Sequence, residues 1–326
     1  MSLRRRYLLS TAVAVIAIGC SRDLEPLQQV SLQPKLGALS ESLVDSLGLI
    51  GDVAVEGGHL VVTDVKAHRL LQLDSIGSGR LQGRRGQGPG EFAFPLFVDA
   101  RGSRVVVGDQ GNGRFQQFNW AGALKRVFNS PVPVRHFAIE SDSTLLVALA
   151  DSAWYLARVF EDGRWEPFAK RPSSAAARLA RGDHLVAMAA DRQVAVFDQD
   201  RAVLLIYDVN GNATIRSVLP EDITAALGAS SSEQQRALSQ RFGQLLSAPV
   251  IKDLAGDGAG HLLLLFSAGT TVGLWMDVPR DLRVLLTTDD ADRDDPFWSA
   301  VAADVYGDSL VVTSSAGQVY KRRVRP

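Results

Sequence analysis

Six short apolar segments recur along this chain at an almost fixed beat, each followed by turn residues. The beats fall at Asp64, Asp109, Asp151, Asp198, Phe266 and Ser314. The residues four, three and two positions earlier are apolar every time, from Leu60-Val61-Val62 to Leu310-Val311-Val312. In the first five repeats a large apolar residue follows nine positions later: Leu73, Phe118, Phe160, Tyr207 and Trp275. The first four of these lead to a turn glycine, Gly77, Gly122, Gly163 and Gly211. Successive beats lie 45, 42, 47, 68 and 48 residues apart. A period in the forties, with short apolar strands between Gly, Asn and Asp turns, marks a propeller blade of four antiparallel strands. Helical repeats of similar period need long stripes at 3.6-residue spacing, and these runs are too short for that. The expected fold is an all-β, six-bladed β-propeller.

After Ser314 only one strand's worth of chain remains, so the last blade lacks its fourth strand. An open sheet exposes unpaired edge amides. The expectation is therefore that an N-terminal strand, drawn from between Gln28 and Leu47, closes the ring in the last blade. The long 68-residue spacing carries about twenty extra residues over the repeat. Ser230-Ser231-Ser232-Glu233 offers a capping-box start, and Ala237, Leu238, Phe242, Leu245 and Leu246 share one helical face. This predicts one helical insertion over 219–249, between blades four and five, its apolar stripe packed on the propeller.

The first residues follow a different rule. Arg4-Arg5-Arg6 precedes twelve uncharged residues, Tyr7 to Ile18, too few to span a bilayer about 30 Å thick. A basic start, a short apolar run and small residues form an export signal. The chain's single cysteine stands where the cut would fall, and Ala17-Ile18-Gly19-Cys20 resembles the bacterial lipobox, in which the cysteine is lipidated. The expected layout is a lipoprotein-type signal peptide over 1–19, a tether over 20–36 and the propeller over 37–326. Loss of residues 1–19 would leave 32 basic and 36 acidic residues. That mildly acidic balance, without a basic block interleaved with aromatics, excludes a nucleic-acid partner. The absence of any other cysteine suits an oxidising compartment. The expected location is the bacterial cell envelope, lipid-anchored and facing the periplasm or exterior.

The most distinctive local sequence is the loop Gly83-Arg84-Arg85-Gly86-Gln87-Gly88-Pro89-Gly90-Glu91-Phe92. A phosphate cradle would need a following Lys-Ser/Thr and a helix start, and neither is present. In a four-stranded blade, the loop between strands two and three emerges on the same face as the loop leading to the next blade. Asp109, Asn112 and Arg114 should therefore lie beside Arg84, Arg85, Gln87 and Glu91, with Asp64 and Arg69 at the equivalent place in blade one. These nine residues form the candidate binding face. A plain structural duty competes with it, since an Asp at a strand end caps a turn and Asn-Gly supplies positive φ.

The run Gly86-Gln87-Gly88-Pro89-Gly90-Glu91-Phe92, followed by Val107-Gly108-Asp109-Gln110-Gly111-Asn112-Gly113-Arg114-Phe115, resembles the bacterial six-bladed β-propeller lipoproteins, related in layout to NHL-repeat and TolB-like propellers. Asp-x-x-Asn-x-Arg is complete only in blade two, and blades five and six lose the Asp. The resemblance implies an envelope protein and no particular activity.

Some six-bladed propellers are metal-dependent lactonases or lyases. Here His59 and His261 fall five positions before a beat, on the face opposite the strand-end aspartates, as turn residues. His68 could reach the candidate face, and His136 with Asp99 is a possible pair near the inner strands. No close His spacing supports a metal centre, Asp290, Asp292 and Asp294 lack the glycine and closing glutamate of a calcium loop, and no Gly-x-Ser-x-Gly elbow occurs. Neither a cofactor nor a metal is expected. The leading expectation is a lipid-anchored binding or scaffold module for a protein, peptide or glycan. The alternative is a periplasmic metal-dependent hydrolase or lyase of the six-bladed propeller type.

Overall fold

The computed structural model describes residues 28–31, 47–74, 78–151, 153–171, 184–190, 192–199, 201–216, 219, 250–268, 271–287, 300–307, 309–314 and 319–324. The signal peptide, Cys20, nearly all of the tether, the insertion over 220–249 and the acidic turn at Asp290–Asp294 lie outside the described residues.

The chain opens with β1 (Gln28–Ser31). Blade one follows as β2 (Ile50–Glu56), β3 (His59–Asp64), β4 (Arg69–Leu73) and β5 (Gly79–Gln82). Blade two comprises β6 (Pro95–Arg101), β7 (Arg104–Asp109), β8 (Arg114–Asn119) and β9 (Leu124–Asn129). Blade three is β10 (Phe137–Ser141), β11 (Thr144–Ala148), β12 (Trp154–Phe160) and β13 (Trp165–Lys170). Blade four holds β14 (His184–Ala190), β15 (Gln193–Asp198), β16 (Val203–Tyr207) and β17 (Ala213–Arg216). Blade five is built from β18 (Val250–Gly256), β19 (His261–Ala268), β20 (Thr271–Asp277) and β21 (Leu282–Thr287). A last sheet contains β22 (Ala300–Tyr306), β23 (Ser309–Ser314) and β24 (Val319–Arg323).

Apart from β1, the strands of each sheet pair antiparallel in chain order. The all-β propeller is therefore as expected, but the described residues give five complete blades, not six. The three-stranded sheet stands between blade five and blade one, its β22 packed against both β18 and β2. Among the described residues there is no α-helix, and none is long and apolar enough to cross a membrane.

Ring closure departs from the expectation. A strand from the predicted stretch does join an outer edge, but β1 pairs in parallel with β21 of blade five, with Gln28 opposite Val284 and Ser31 opposite Thr287. It thus covers the amides of that outer edge, which side-chain periodicity alone does not reveal.

The apolar triplets before each beat lie on the second strand of each sheet, and Val61, Val106, Val147, Ala195, Leu263 and Val312 are fully buried there. Blade three is displaced: β11 ends at Ala148, and Asp151 stands three residues beyond it, its Oδ1 accepting from the N–H groups of Ala153 and Trp154. Residues nine after the beat fall on the third strands, where Leu73, Phe118, Tyr207 and Trp275 are buried between blades. His59 and His261 begin β3 and β19 as expected, the latter bonded through Nδ1 to Asp257 Oδ2 at 2.6 Å.

Candidate functional site

The candidate face assembles where topology places it, around one carboxylate. Asp109 ends β7 fully buried, and the chain then makes one 3-10 turn, Gln110–Asn112, closed by Gly113 at φ 62°. That turn aims Asn112 Nδ2 back at Asp109 Oδ2 at 2.7 Å, while Arg114 Nε reaches the same oxygen at 2.9 Å. The other oxygen accepts the Ala93 N–H at 2.7 Å. Arg114 also donates to the carbonyls of Gln87, Gly88 and Glu91 at 2.6, 2.8 and 2.9 Å. Asn112 Nδ2 reaches Gly86 O, and Gln116 holds Glu91 O and the Gly90 N–H. The glycine-rich loop is thus wrapped over a guanidinium that sequence places 26 positions away from Gly88. Glu91 is turned onto its own loop, accepting the Gly88 N–H and pairing with Arg84 at 2.7 Å; these bonds hold its carboxyl below the usual range.

Blade one repeats the scheme in reduced form. Asp64 is fully buried, meets Arg69 Nε at 3.2 Å, and accepts the N–H groups of Gly48 and Ala67 at 3.1 and 3.0 Å. Of the nine candidate residues, Asp64, Asp109 and Arg114 are buried and Arg69, Glu91 and Asn112 are half-buried; Arg84, Arg85 and Gln87 are exposed. The convergence read from topology is present, and its buried half is occupied by bonds within the scaffold.

This scaffold supports one exposed aromatic. Phe94 sits at φ 57°, a conformation costly for a bulky residue, and the residue is 51% exposed. The Gln110 N–H donates to Phe94 O and the Gly111 N–H to Ala93 O, at 3.1 and 2.7 Å. Gly111 is required there, because a Cβ would stand 2.6 Å from Ala93 O. The ring packs edge-on against His68, itself at φ 56°, whose Nδ1 accepts the Phe94 N–H at 3.1 Å.

Gln110, which bonds to Phe94 O, lines the mouth of the central channel, a cavity of about 320 Å³ walled also by Asp52, Arg135, His136, His184 and Lys252 among others. Below it the channel narrows to about 40 Å³. Innermost strands line this throat with four acids, Asp52, Asp99, Asp253 and Asp304, of which the sequence singles out only Asp99, as a partner for His136. Their signal is an Asp followed by small or apolar residues 10 to 13 positions before the beat.

Each acid fastens its blade to the next. Asp52 accepts from Val53 N and, across the gap, from Val98 N of blade two, at 2.8 and 2.9 Å. Asp99 accepts from Ala100 N and from Ile139 N of blade three, at 2.7 and 2.6 Å. Asp253 takes Leu254 N and Ala303 N at 2.8 and 2.9 Å. Asp304 takes Val305 N and Val55 N at 2.7 and 2.5 Å, joining the three-stranded sheet to blade one. In blade three a histidine substitutes: His136 Nδ1 accepts the Val186 N–H at 3.3 Å, and Nε2 meets Asp253 Oδ1 at 3.1 Å. The innermost strand of blade four, β14, carries no acid, and there the Gly258 N–H bonds directly to Met188 O. Gly256 makes that approach possible, since a Cβ would lie 2.2 Å from Met188 O.

Burial dominates the electrostatics. It lifts Asp52 to about 8, helped by the nearby Asp253 charge, and Asp99 to about 6; Asp304 is also pushed well above the usual range. For His136 burial disfavours the charged ring, but the Asp253 hydrogen bond and the fields of Asp253, Asp52 and Asp99 outweigh it and raise its pKa. The Val186 N–H aimed at Nδ1 is a counterweight, because a protonated ring would set donor against donor. His184 is held down to about 4 by burial, its Nε2 placed on Tyr155 O. Lys252 is lowered by burial alone.

A metal ion fits this set poorly. Both oxygens of each throat carboxylate already accept backbone N–H groups, and among the described residues no three His, Cys, Asp or Glu side chains are placed to hold an ion. No catalytic step is therefore derived through a metal.

No protein-family model and no curated protein matches the chain. Solved structures do match it. A gluconolactonase from Xanthomonas campestris superposes with a TM-score of 0.53 at 11% identity, covering 93% of this chain and 99% of that one. Virginiamycin B lyase from Staphylococcus aureus gives 0.51 at 10% identity over 85% and 80% of the two chains. A putative exported protein from Bacteroides fragilis gives 0.51 at 13% identity over 88% and 83%. At such identities the likeness establishes a β-propeller that bacterial binding proteins and enzymes share, and neither an activity nor a lipoprotein family.

Proposed function

We propose that this chain is a propeller lipid-anchored at Cys20 to the bacterial cell envelope, its three-stranded sheet serving as the sixth blade, and that it acts as a binding or scaffold module. Its ligand is a protein, peptide or glycan that engages the mouth face, with Phe94 as the anchor. The observation that carries this reading is Phe94 itself. A bulky residue in the left-handed region costs on the order of 1–3 kcal/mol and persists only where the surroundings over-determine it. Here hydrogen bonds from Gln110 and to His68 hold the backbone while the ring stays in solvent. Rigid aromatics of this kind supply the hot spots of interfaces. The exposed Arg84, Arg85 and Gln87 form the adaptable rim around it.

A photo-crosslinking residue placed at Phe94 in envelope-bearing cells tests the reading: a discrete adduct is expected, and its absence alongside normal expression overturns it. Cys20→Ser should move the chain from the membrane fraction to the soluble one, and retention would remove the lipid anchor. A stoichiometric divalent ion in the purified protein would instead favour the metal-dependent hydrolase or lyase.

A further inference from the structure

A second cavity, of about 250 Å³, lies between blades one and two on the face opposite the channel mouth. Gln72, Asp74, Ser78 and Arg80 line it from β4, β5 and their connection, and Trp120 walls it from blade two. Trp120 is fixed in place: its Nε1 donates to Gly102 O at 2.9 Å, and its ring lies against His59 with centroids 5.1 Å apart. Arg80 is anchored through one nitrogen to Ala121 O.

The cleft also concentrates unmet hydrogen bonding. Gln72 is only 2% exposed, its Nε2 makes a long 3.4 Å contact to Asn119 O, and its Oε1 has no partner among the described residues. Exchanging the two amide atoms would merely orphan the nitrogen. Gln82 Nε2 is likewise buried without a partner, and its amide abuts the same blade-two turn, where a Cβ on Gly122 would stand 2.5 Å from Gln82 Oε1. Orphaned buried groups are rare in native proteins and call for an explanation. Of the two, only Gln72 lines the cavity, and its orphaned oxygen beside an aromatic wall points to a ligand that supplies a donor.

The mix of groups selects its chemistry. Asp74 and Arg80 carry opposite charges, so the cleft does not prefer an ion of either sign. A purely apolar guest would leave the Gln72 amide unpaired. A neutral ring with one C–H-rich face and a rim of hydroxyls fits both demands: the face lies on the indole, and each hydroxyl both donates and accepts. We infer that this inter-blade cleft binds a single pyranose unit of a neutral glycan, with Trp120 as stacking platform and the Gln72 amide as polar contact. The site is separate from the mouth face and does not depend on the ligand proposed there.

Titration of the full chain with D-glucose, D-galactose, D-mannose and N-acetylglucosamine, followed by saturation-transfer NMR and tryptophan fluorescence, tests the inference. At least one sugar should give a saturable response. Trp120→Ala and Gln72→Leu should each weaken it by about tenfold or more, the loss expected when a site built for hydroxyls loses a partner. Gln72→Leu also removes the orphaned atom, so its thermal midpoint should hold or rise while binding falls. Phe94→Ala should leave sugar binding intact. No saturable response to any of the four by folded protein, or unchanged binding in both cleft variants, overturns the proposal.

Discussion

The Asp109→Asn substitution separates a scaffold from a ligand site. Asp109 is fully buried, and its two oxygens accept from Ala93 N, Asn112 Nδ2, Arg114 Nε and, more distantly, Gln116 Nε2. Asparagine keeps the shape but can accept through one oxygen only. In its better orientation that oxygen faces the three side-chain donors, and the new amide hydrogens oppose the Ala93 N–H. The charge that balances Arg114 is also lost. Breaking a buried pair from one side costs about 3–5 kcal/mol. The lower end applies, because Arg114 keeps its three loop carbonyls and one acceptor survives, giving a loss of about 3 kcal/mol. The matched control is Arg84→Ala: that guanidinium is 81% exposed and paired at the surface, where such pairs are worth about 0–1 kcal/mol. Urea unfolding of the purified variants reads both numbers from midpoints at constant slope. If Asp109→Asn shifts stability by no more than Arg84→Ala does, the buried network does not hold the loop, and its residues return to candidacy as ligand contacts.

The throat acids give a pH prediction. Asp52 at about 8 and Asp99 at about 6 hold on folding protons that the free side chain releases at 3.8, so each removes stability as pH rises from about 4, Asp99 up to about 6 and Asp52 up to about 8, at up to about 1.4 kcal/mol per pH unit apiece. His184 works in the opposite sense, lowered from 6.5 to about 4, and erodes stability only as pH drops through that interval. Urea midpoints across the upper range should therefore decline, and decline less in Asp52→Asn; a rise would contradict burial as the dominant cause. Gly256→Ala forces blades four and five apart at Met188 O and should cost about 2 kcal/mol or more, measured by thermal melting, whereas Gly113→Ala, with open space around its Cβ, loses only the left-handed preference, about 1 kcal/mol. Phe94→Gly should relieve the strained backbone and leave the melting midpoint unchanged or raised, while abolishing the adduct formed by a crosslinking residue placed instead at the exposed Arg84.

Much of the propeller was legible because its blades are encoded locally. The triplets before each beat alternate into neighbouring sheets, and the residue nine later returns on the adjoining strand, as Leu60 opposite Leu73 and Val105 opposite Phe118 show. The loop face was legible for the same reason, since strand order alone brings Asp109 to Gly83–Phe92. Other features were hidden because their partners are remote. Asp52 is 46 residues from the Val98 amide it accepts, and Asp304 is 249 from Val55. The docking of β1 on β21 is a backbone pairing with no side-chain signature. The cleft escaped notice because Gln72 reads as ordinary strand filler until its neighbours fail to satisfy it.

Two rings of aspartates, at different radii, divide the work of holding this propeller. The outer ring secures each blade's incoming loop, as Asp64 does through Gly48 and Asp109 through Ala93. The inner ring secures the following blade, as Asp52, Asp99, Asp253 and Asp304 do. Blade five and the three-stranded sheet lack the outer aspartate, with Phe266 and Ser314 at its place, but retain the inner one. Blade four is the converse: it keeps Asp198, bonded to the Tyr155 hydroxyl of blade three at 2.5 Å, and lacks an inner acid. Blade three has neither aspartate in place: Asp151 stands beyond β11 and caps its own hairpin, and His136 takes over the inner fastening by accepting the Val186 N–H. It follows that the acids at the centre of the ring, where a catalytic ion would first be sought, are the groups least free to receive a ligand. The groups with freedom to do so lie outside both rings, on the exposed Phe94 loop and in the Trp120 cleft.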